Sequence, residues 1–195
     1  MTEPSRHVAG LLLTGGASRR MGRDKAGLVV NGTTLAQRTA ALLLSTVSHA
    51  IEVGPATSGL PSTCEDPPGE GPLAAIAAGW AALRASGHDG DVLVLSCDLP
   101  LLSERLLRFL VDYDAPGTVL PLVDGRVQPL CAKWSRQDLD HASELVAQGV
   151  RSLRHLETEP DTTLVDSSHW QHVANRDTFF DVDCPADLEY LRLQI

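Results

Sequence analysis

Short apolar runs alternate along the chain with segments of helical periodicity, and this alternation is the strongest constraint on the fold. The runs Val8–Leu13, Ala50–Val53 and Asp91–Cys97 have the length and composition of strands. After Pro72, apolar residues recur at i, i+3, i+4 and i+7, a spacing that predicts a helix with one buried face. Alternation of this kind is typical of α/β proteins with a mostly parallel sheet.

The second half of the chain is less regular. Strands are predicted at Thr118–Val123 and Val127–Trp134, and the Asp124-Gly125 turn between them is too short for a crossover helix, so they should be antiparallel. We expect a last strand at Phe179–Val182 and a terminal helix from Pro185. The remaining helices are expected to follow Thr33 or Thr34, to follow Ser103, and to span Gln137–Gln148.

Composition narrows the class of protein. A chain of 195 residues with 43% hydrophobic composition predicts one domain over residues 1–195. There is no 18-residue apolar run, no signal-like segment and no cysteine pair at metal spacing, so we expect a cytoplasmic protein without a membrane span. The formal charge of −9 argues against binding to nucleic acid or a membrane surface. It is compatible with a small anionic substrate held through a divalent cation.

The stretch from Leu13 to Lys25 has the features of an anion-binding loop. Gly15 and Gly16 follow the first predicted strand and would let the backbone turn sharply against a ligand. Four cations lie within seven residues of this acidic chain, namely Arg19, Arg20, Arg23 and Lys25. The glycine spacing fits neither the Walker A loop nor the dinucleotide fingerprint. The alternative interpretation is a solvated surface loop.

Asp98 is a second candidate, because it follows the apolar run Asp91–Cys97 directly. Ligands of open parallel sheets bind at the carboxyl ends of the strands, so Asp98 should face the loop after the first strand. A carboxylate near a polyphosphate suits Mg²⁺, which prefers oxygen ligands. An Asp before Leu-Pro is also common in turns, and this interpretation stays open.

The stretch Leu13–Lys25 matches the pattern L-x-G-G-x-S-x-R-M-G-x-D-K and resembles the nucleotidyltransferases of the molybdenum cofactor guanylyltransferase family. Further segments are similar to motifs of that family: Asp66 with Gly69 to Leu73, Ser96 to Pro100, Arg126 to Ala132 and Val182 to Leu188. The resemblance implies a three-layer α/β/α sandwich with a Rossmann-like, mostly parallel sheet and an antiparallel portion. It also implies Mg²⁺-dependent transfer of GMP from GTP to the phosphate of molybdopterin, with release of pyrophosphate.

The same resemblance implies roles for single residues. Lys25 and Asp98 would be catalytic, and Asp98 would bind the metal. Asp183 stands where the family has Asn, and it is either a second metal ligand or a helix cap. An Asn that contacts the nucleotide in the family has no counterpart at Val53-Gly54-Pro55. The nucleotide-binding set implied is Leu13, Thr14, Gly15, Gly16, Arg19, Lys25, Asp66 and Asp98.

Two alternative functions remain open at this point. One is a cytidylyltransferase or sugar-phosphate nucleotidyltransferase of the same superfamily; those relatives tend to have Ala-Ala-Gly where this chain has Thr14-Gly15-Gly16, which favours guanine. The other is a catalytically silent nucleotide-binding regulator, but Lys25 and Asp98 are both retained. The expected partners are GTP and molybdopterin, with transient contact with other cofactor-biosynthesis or acceptor proteins.

Overall fold

The structure, a computed structural model, describes residues 7–15, 25–182, 186–187 and 191. The described helices are α1 (Leu35–Leu44), α2 (Pro72–Ala85), α3 (Glu104–Asp112), α4 (Arg136–Ala147) and α5 (Ser167–Trp170), with 3₁₀ turns at Leu153–His155 and Arg176–Phe179. The described strands are β1 (Val8–Leu13), β2 (Val29–Val30), β3 (Thr33–Thr34), β4 (Ala50–Val53), β5 (Ser62–Thr63), β6 (Asp91–Ser96), β7 (Val119–Val123), β8 (Arg126–Val127), β9 (Cys131–Trp134) and β10 (Thr163–Val165). Within these ranges, no helix is long and apolar enough to cross a membrane.

The main sheet is mixed, with a parallel centre. Its strand order is β10-β7-β9-β6-β1-β4-β5, with β8 paired to β7, while β2 and β3 form a separate hairpin. Strands β6, β1, β4 and β5 are parallel neighbours, and β9 runs antiparallel to both β6 and β7. This arrangement confirms the expected mostly parallel sheet with an antiparallel portion.

Helices cover both faces of this sheet. Alternate side chains of β1 point to opposite faces, so Leu12 packs in the core on the side of α1 and α3, and Leu11 packs in the core on the side of α2 and α4. Leu43 of α1 and Trp80 of α2 are buried members of these two cores. The three-layer α/β/α sandwich is therefore confirmed.

Capping residues and a proline determine where three of the helices begin. Thr34 caps α1 through a capping box with Gln37, Pro72 is the first residue of α2, and Ser103 caps α3 by accepting a hydrogen bond from the amide of Leu106. The side-chain oxygens of Thr34 and Ser103 accept from amide groups that have no partner within the first helical turn. Pro72 has no amide hydrogen and so needs no such acceptor.

Two strand predictions need correction. Residues Phe179–Val182 do not form a strand: Phe179 is the last residue of a 3₁₀ turn that Asn175 caps, and Phe180 is extended but belongs to no described strand. The amide of Val182 donates to Asp98 O instead. The strand predicted at Val127–Trp134 is interrupted between β8 and β9, where Pro129 has no amide hydrogen to contribute to a ladder. Pro185, the predicted start of a terminal helix, lies outside the described residues, but Ala186, Asp187 and Leu191 after it are helical, as the prediction requires.

Candidate functional site

The carboxyl ends of three parallel strands lie side by side. Leu13 at the end of β1 lies opposite Val53 of β4 on one side and Ser96 of β6 on the other. The chain passes from β1 to β4 and then returns to the far side of β1 to form β6. The crevice between β1 and β6 is therefore a topological switch point, where open α/β sheets bind their ligands.

The stretch from Leu13 to Lys25 is called the glycine loop, and hydrogen bonds hold its first residues against β4. The amides of Thr14 and Gly15 donate to Val53 O at 3.1 and 3.4 Å, and Leu13 O accepts from the amide of Cys97 at 3.2 Å. The Leu13 side chain is buried in the α2-side core. A ligand at these residues would therefore meet carbonyl oxygens and the bare Cα of Gly15 rather than unused amide groups.

Asp98 lies in the turn that follows β6. Ser96 Oγ donates to Asp98 Oδ1, and the amide of Val182 donates to the main-chain oxygen of Asp98 at 2.9 Å. Arg38 of α1 donates from Nε to Pro100 O at 3.2 Å. These contacts come from three parts of the chain, so the position of the Asp98 carboxylate is well defined.

Lys25 and Asp98 lie together, and Asp98 therefore faces the end of the loop that follows β1. Lys25 Nζ is 3.7 Å from Asp98 Oδ2, and the two side chains are 18% and 26% exposed. This distance exceeds that of a hydrogen bond, so the pair is a loose electrostatic contact at the mouth of the crevice. A phosphate group with its cation could compete for both charges.

The chemistry of this site fits Mg²⁺ shared with a substrate. Asp98 offers a partly exposed carboxylate, and Mg²⁺ is commonly bound by one or two carboxylates together with substrate phosphates. Among the described residues, no three His, Cys, Asp or Glu side chains form a cage for a metal ion. An ion held by Asp98 would therefore complete its coordination with water and with phosphate oxygens of a substrate.

A cavity of about 780 Å³ opens beside Asp98. Its far wall is formed by Gln128 and Leu130, within the Arg126–Ala132 motif, and by Phe179 in the 3₁₀ turn. Two cations, Arg126 and Arg176, also line it, together with four carboxylates, those of Asp98, Asp124, Asp177 and Asp181. Arg176 Nε lies 2.8 Å from Asp124 Oδ2, so an anionic ligand in this cavity would depend on Arg126 and on any cation held by Asp98.

Asp66 lies at the same edge of the sheet but on the other side of β1. It follows β5, which is separated from β1 by β4, and its side chain is exposed. The next element is α2, whose N-cap Gly71 has φ = 97°. Of the remaining predicted site residues, Gly16, Arg19 and Asp183 lie outside the described residues.

Sequence reasoning missed Glu52, a buried residue of β4 that lies beneath the nucleotide side of the candidate site. Its side chain is 0% exposed, and it accepts hydrogen bonds from Thr14, Thr57 and Ser58. Burial by itself raises the pKa of the Glu52 carboxyl, but the hydrogen bonds from Ser58, Thr14 and Thr57 outweigh it and hold the pKa below its ordinary value. The available signal was one acidic residue within the otherwise apolar run Ala50–Val53.

Gly54 was also missed, although it shapes the same place. It has φ = +147°, and a Cβ added to it would overlap Thr14 Oγ1 and lie 2.8 Å from the amide nitrogen of Gly15. A side chain at this position would push the glycine loop away from β4. The absence of a side chain at Gly54 therefore permits the close backbone contact between β4 and the glycine loop.

Replacing Gly54 by alanine is expected to lower the free energy of unfolding by about 1–3 kcal/mol, because the new methyl group overlaps Thr14 and Gly15. Urea unfolding measures this loss. Gly59→Ala is the control, since Gly59 also has a positive φ of +88° but an added Cβ meets nothing within 4 Å. Equal losses in the two variants would contradict the steric explanation.

A sequence profile described as the MobA-like NTP transferase domain matches residues 10–164. The chain belongs to the MobA-like NTP transferase family. Within this family, it is 32% identical over 201 residues to a "Probable molybdenum cofactor guanylyltransferase" of Mycolicibacterium paratuberculosis, with 96% of each chain covered. The family resemblance inferred from the motifs is thereby confirmed.

Solved structures confirm the MobA-like fold. The molybdopterin-guanine dinucleotide biosynthesis protein A of Archaeoglobus fulgidus superposes with a TM-score of 0.76 at 20% identity, covering 95% of this chain and 97% of that one. The Rv0371c protein of Mycobacterium tuberculosis H37Rv, in a structure described as a complex with manganese, gives a TM-score of 0.62 at 19% identity, with 97% and 100% covered. At these identities the likeness concerns the fold.

Proposed function

We propose that this MobA-like nucleotidyltransferase transfers GMP from GTP to the phosphate of molybdopterin and releases pyrophosphate. The observation that carries the proposal is the approach of Lys25 to Asp98 at the switch point, between the glycine loop and the cavity. The names of the relatives and of the Archaeoglobus fulgidus structure support the choice of base and acceptor.

The reaction is a phosphoryl-type displacement. An oxygen of the acceptor phosphate attacks the α-phosphorus of GTP, forming one P–O bond as the bond to the leaving pyrophosphate breaks. Catalysis of this kind depends mainly on positioning and on neutralising the charge of the phosphates. The proposal gives Lys25 the second task, because its ammonium group lies at the mouth of the crevice, where the phosphates would approach.

Asp98 would hold a divalent cation against the phosphates. The cation, proposed to be Mg²⁺, would supply further neutralisation of phosphate charge when bound. The manganese named for the structure of Rv0371c, which has the same fold, supports a divalent cation. Ser96 orients the Asp98 carboxylate by donating to Oδ1, which leaves Oδ2 directed toward Lys25.

The cavity beside Asp98 is proposed to receive the pterin acceptor. It lies on the β6 side of the crevice, whereas Thr14, Gly15 and Asp66 lie on or beyond β1. An in-line displacement places the attacking and leaving groups on opposite sides of the α-phosphorus, so the acceptor needs its own compartment. Arg126 would offset part of the charge of the acceptor phosphate, whereas Arg176 already pairs with Asp124.

Guanine is proposed to bind at the beginning of the glycine loop. Guanine presents N–H donors on its Watson–Crick edge, and main-chain oxygens at Thr14 and Gly15 would accept from them. Asp66 could accept from the base or the ribose, since it lies at the same edge of the sheet.

The test is a panel of GTP, CTP, ATP and UTP, each with molybdopterin and Mg²⁺, in which pyrophosphate release is measured. We expect release with GTP at a rate at least about tenfold above that with the other nucleotides, since a lost hydrogen bond to a base is worth about that factor. A preference for CTP would support the cytidylyltransferase alternative. Nucleotide binding without release from any of the four would support the silent regulator.

A further inference from the structure

Glu52 connects two loops that leave neighbouring points of the sheet edge. It lies on β4, and its carboxylate accepts from Thr14 on the glycine loop and from Thr57 and Ser58 on the following loop. The mechanism proposed above does not use this residue. A fully buried carboxylate is costly unless its oxygens are well hydrogen-bonded, so its presence needs a reason.

Each oxygen of the carboxylate is used separately. Oε1 accepts from Thr14 Oγ1 at 2.6 Å and from the amide of Thr57 at 2.9 Å. Oε2 accepts from the amide of Ser58 at 2.8 Å and also from its hydroxyl group. The loop of Thr57 and Ser58 thus donates to the carboxylate through two main-chain amides and the Ser58 hydroxyl group. The glycine loop donates through the side chain of Thr14.

Only a carboxylate satisfies this arrangement. The amides of Thr57 and Ser58 can donate but cannot accept, and they approach different oxygens of Glu52. A glutamine would present an NH₂ group to one of these amides, leaving two donors face to face in a buried site. Leaving a buried donor without a partner has a larger effect than removing an ordinary hydrogen bond.

We propose that Glu52 is a positioning residue that sets the distance between the glycine loop and the loop that joins β4 to β5, the strand before Asp66. This inference rests on the proposed function, in which guanine binds at the beginning of the glycine loop and Asp66 accepts from the base or the ribose. Glu52 itself touches no substrate, because its side chain is fully buried beneath the two loops. Its role is to preorganise the nucleotide side of the site, and the acceptor cavity does not depend on it.

The test compares the wild-type protein with Glu52→Gln. We expect the KM for GTP to rise about tenfold, as for the loss of preorganised binding, while kcat and the KM for molybdopterin stay within about threefold. Hydrogen exchange, followed by mass spectrometry on peptides covering residues 55–60, should become at least about tenfold faster, since one of the amides of Thr57 and Ser58 loses its acceptor.

Asp138→Asn is the matched control. Asp138 is also a buried carboxylate, and its Oδ2 accepts from the hydroxyl groups of Thr118 and Ser135. It lies just after β9, which runs antiparallel to β6, and therefore at the opposite edge of the sheet. This variant should lower the unfolding temperature without changing the KM for GTP or the exchange of residues 55–60.

The outcomes separate the two proposals. A rise in the KM for GTP with faster exchange at residues 55–60 in Glu52→Gln alone supports the positioning role. Equal changes in both variants, or a fall in kcat with an unchanged KM for GTP, would show a purely structural role and overturn it. If the wild-type protein binds no GTP in equilibrium dialysis, the proposed function fails first, and unchanged exchange in Glu52→Gln would separately overturn the link between the loops.

Discussion

Replacing Asp98 by asparagine is expected to lower kcat for pyrophosphate release at least about 100-fold, the loss typical of removing one electrostatic partner of a transition state. Asparagine keeps an oxygen that can accept from Ser96 Oγ, so the turn after β6 should be preserved. It replaces the charged Oδ2, which lies beside Lys25, with an NH₂ group that cannot bind a cation. The measurement is release at saturating GTP and acceptor over a range of Mg²⁺ concentrations.

The control for this variant is Asp89→Asn, which removes a carboxylate near the other end of β6. Asp89 is exposed and pairs with Arg84 and Arg136. Exposed ion pairs contribute little to stability, so kcat should not change and the unfolding temperature should change only slightly. If Asp98→Asn retains full activity at saturating GTP, Asp98 is not a metal ligand and the proposed arrangement of the site is wrong.

Replacing Lys25 by methionine is expected to raise the KM for GTP about tenfold and to lower kcat by a similar factor, because a charge that meets the phosphates is removed. Methionine keeps the apolar part of the side chain, which matters because the Lys25 side chain is only 18% exposed. Steady-state kinetics with GTP varied at saturating acceptor measures both constants.

Arg154→Met is the matched control for Lys25→Met. It removes one positive charge from an exposed position in the 3₁₀ turn Leu153–His155, so the net charge of the protein changes by the same amount. Both kinetic constants should stay at their wild-type values in this variant. If kcat and the KM for GTP are also unchanged in Lys25→Met, Lys25 is a surface charge without a role in binding the phosphates.

The position of Asp98 at the end of a strand was predictable from the sequence. The apolar run before it indicates a buried strand, and the carboxyl ends of parallel strands lie at a common edge of the sheet. Lys25 could be placed only by the motif, since nothing in its local sequence shows that its ammonium group reaches Asp98. In the structure the two groups lie 3.7 Å apart.

Glu52 and Gly54 were not predictable, because what they do depends on loops distant in the chain or irregular in form. The donors to Glu52 come from Thr14, in another loop, and from Thr57 and Ser58, which lie in a segment without periodicity. The predicted strand at Phe179–Val182 failed for a related reason. The apolar composition favoured extension, but the cap formed by Asn175 favoured a turn.

The hydrogen bond from the amide of Val182 to Asp98 O gives the last part of the chain an unexpected importance. The family profile ends at residue 164, yet Arg176, Phe179 and Asp181 form part of the cavity wall. On the proposed function, residues before 164 build the nucleotide half of the site, and residues 176–181 build one wall of the acceptor half. The Mycolicibacterium paratuberculosis relative aligns over 96% of this chain, so this wall lies within the part that the two proteins share. A change in side-chain volume at residues 176–181 should therefore alter which acceptor fits while leaving the affinity for GTP unchanged.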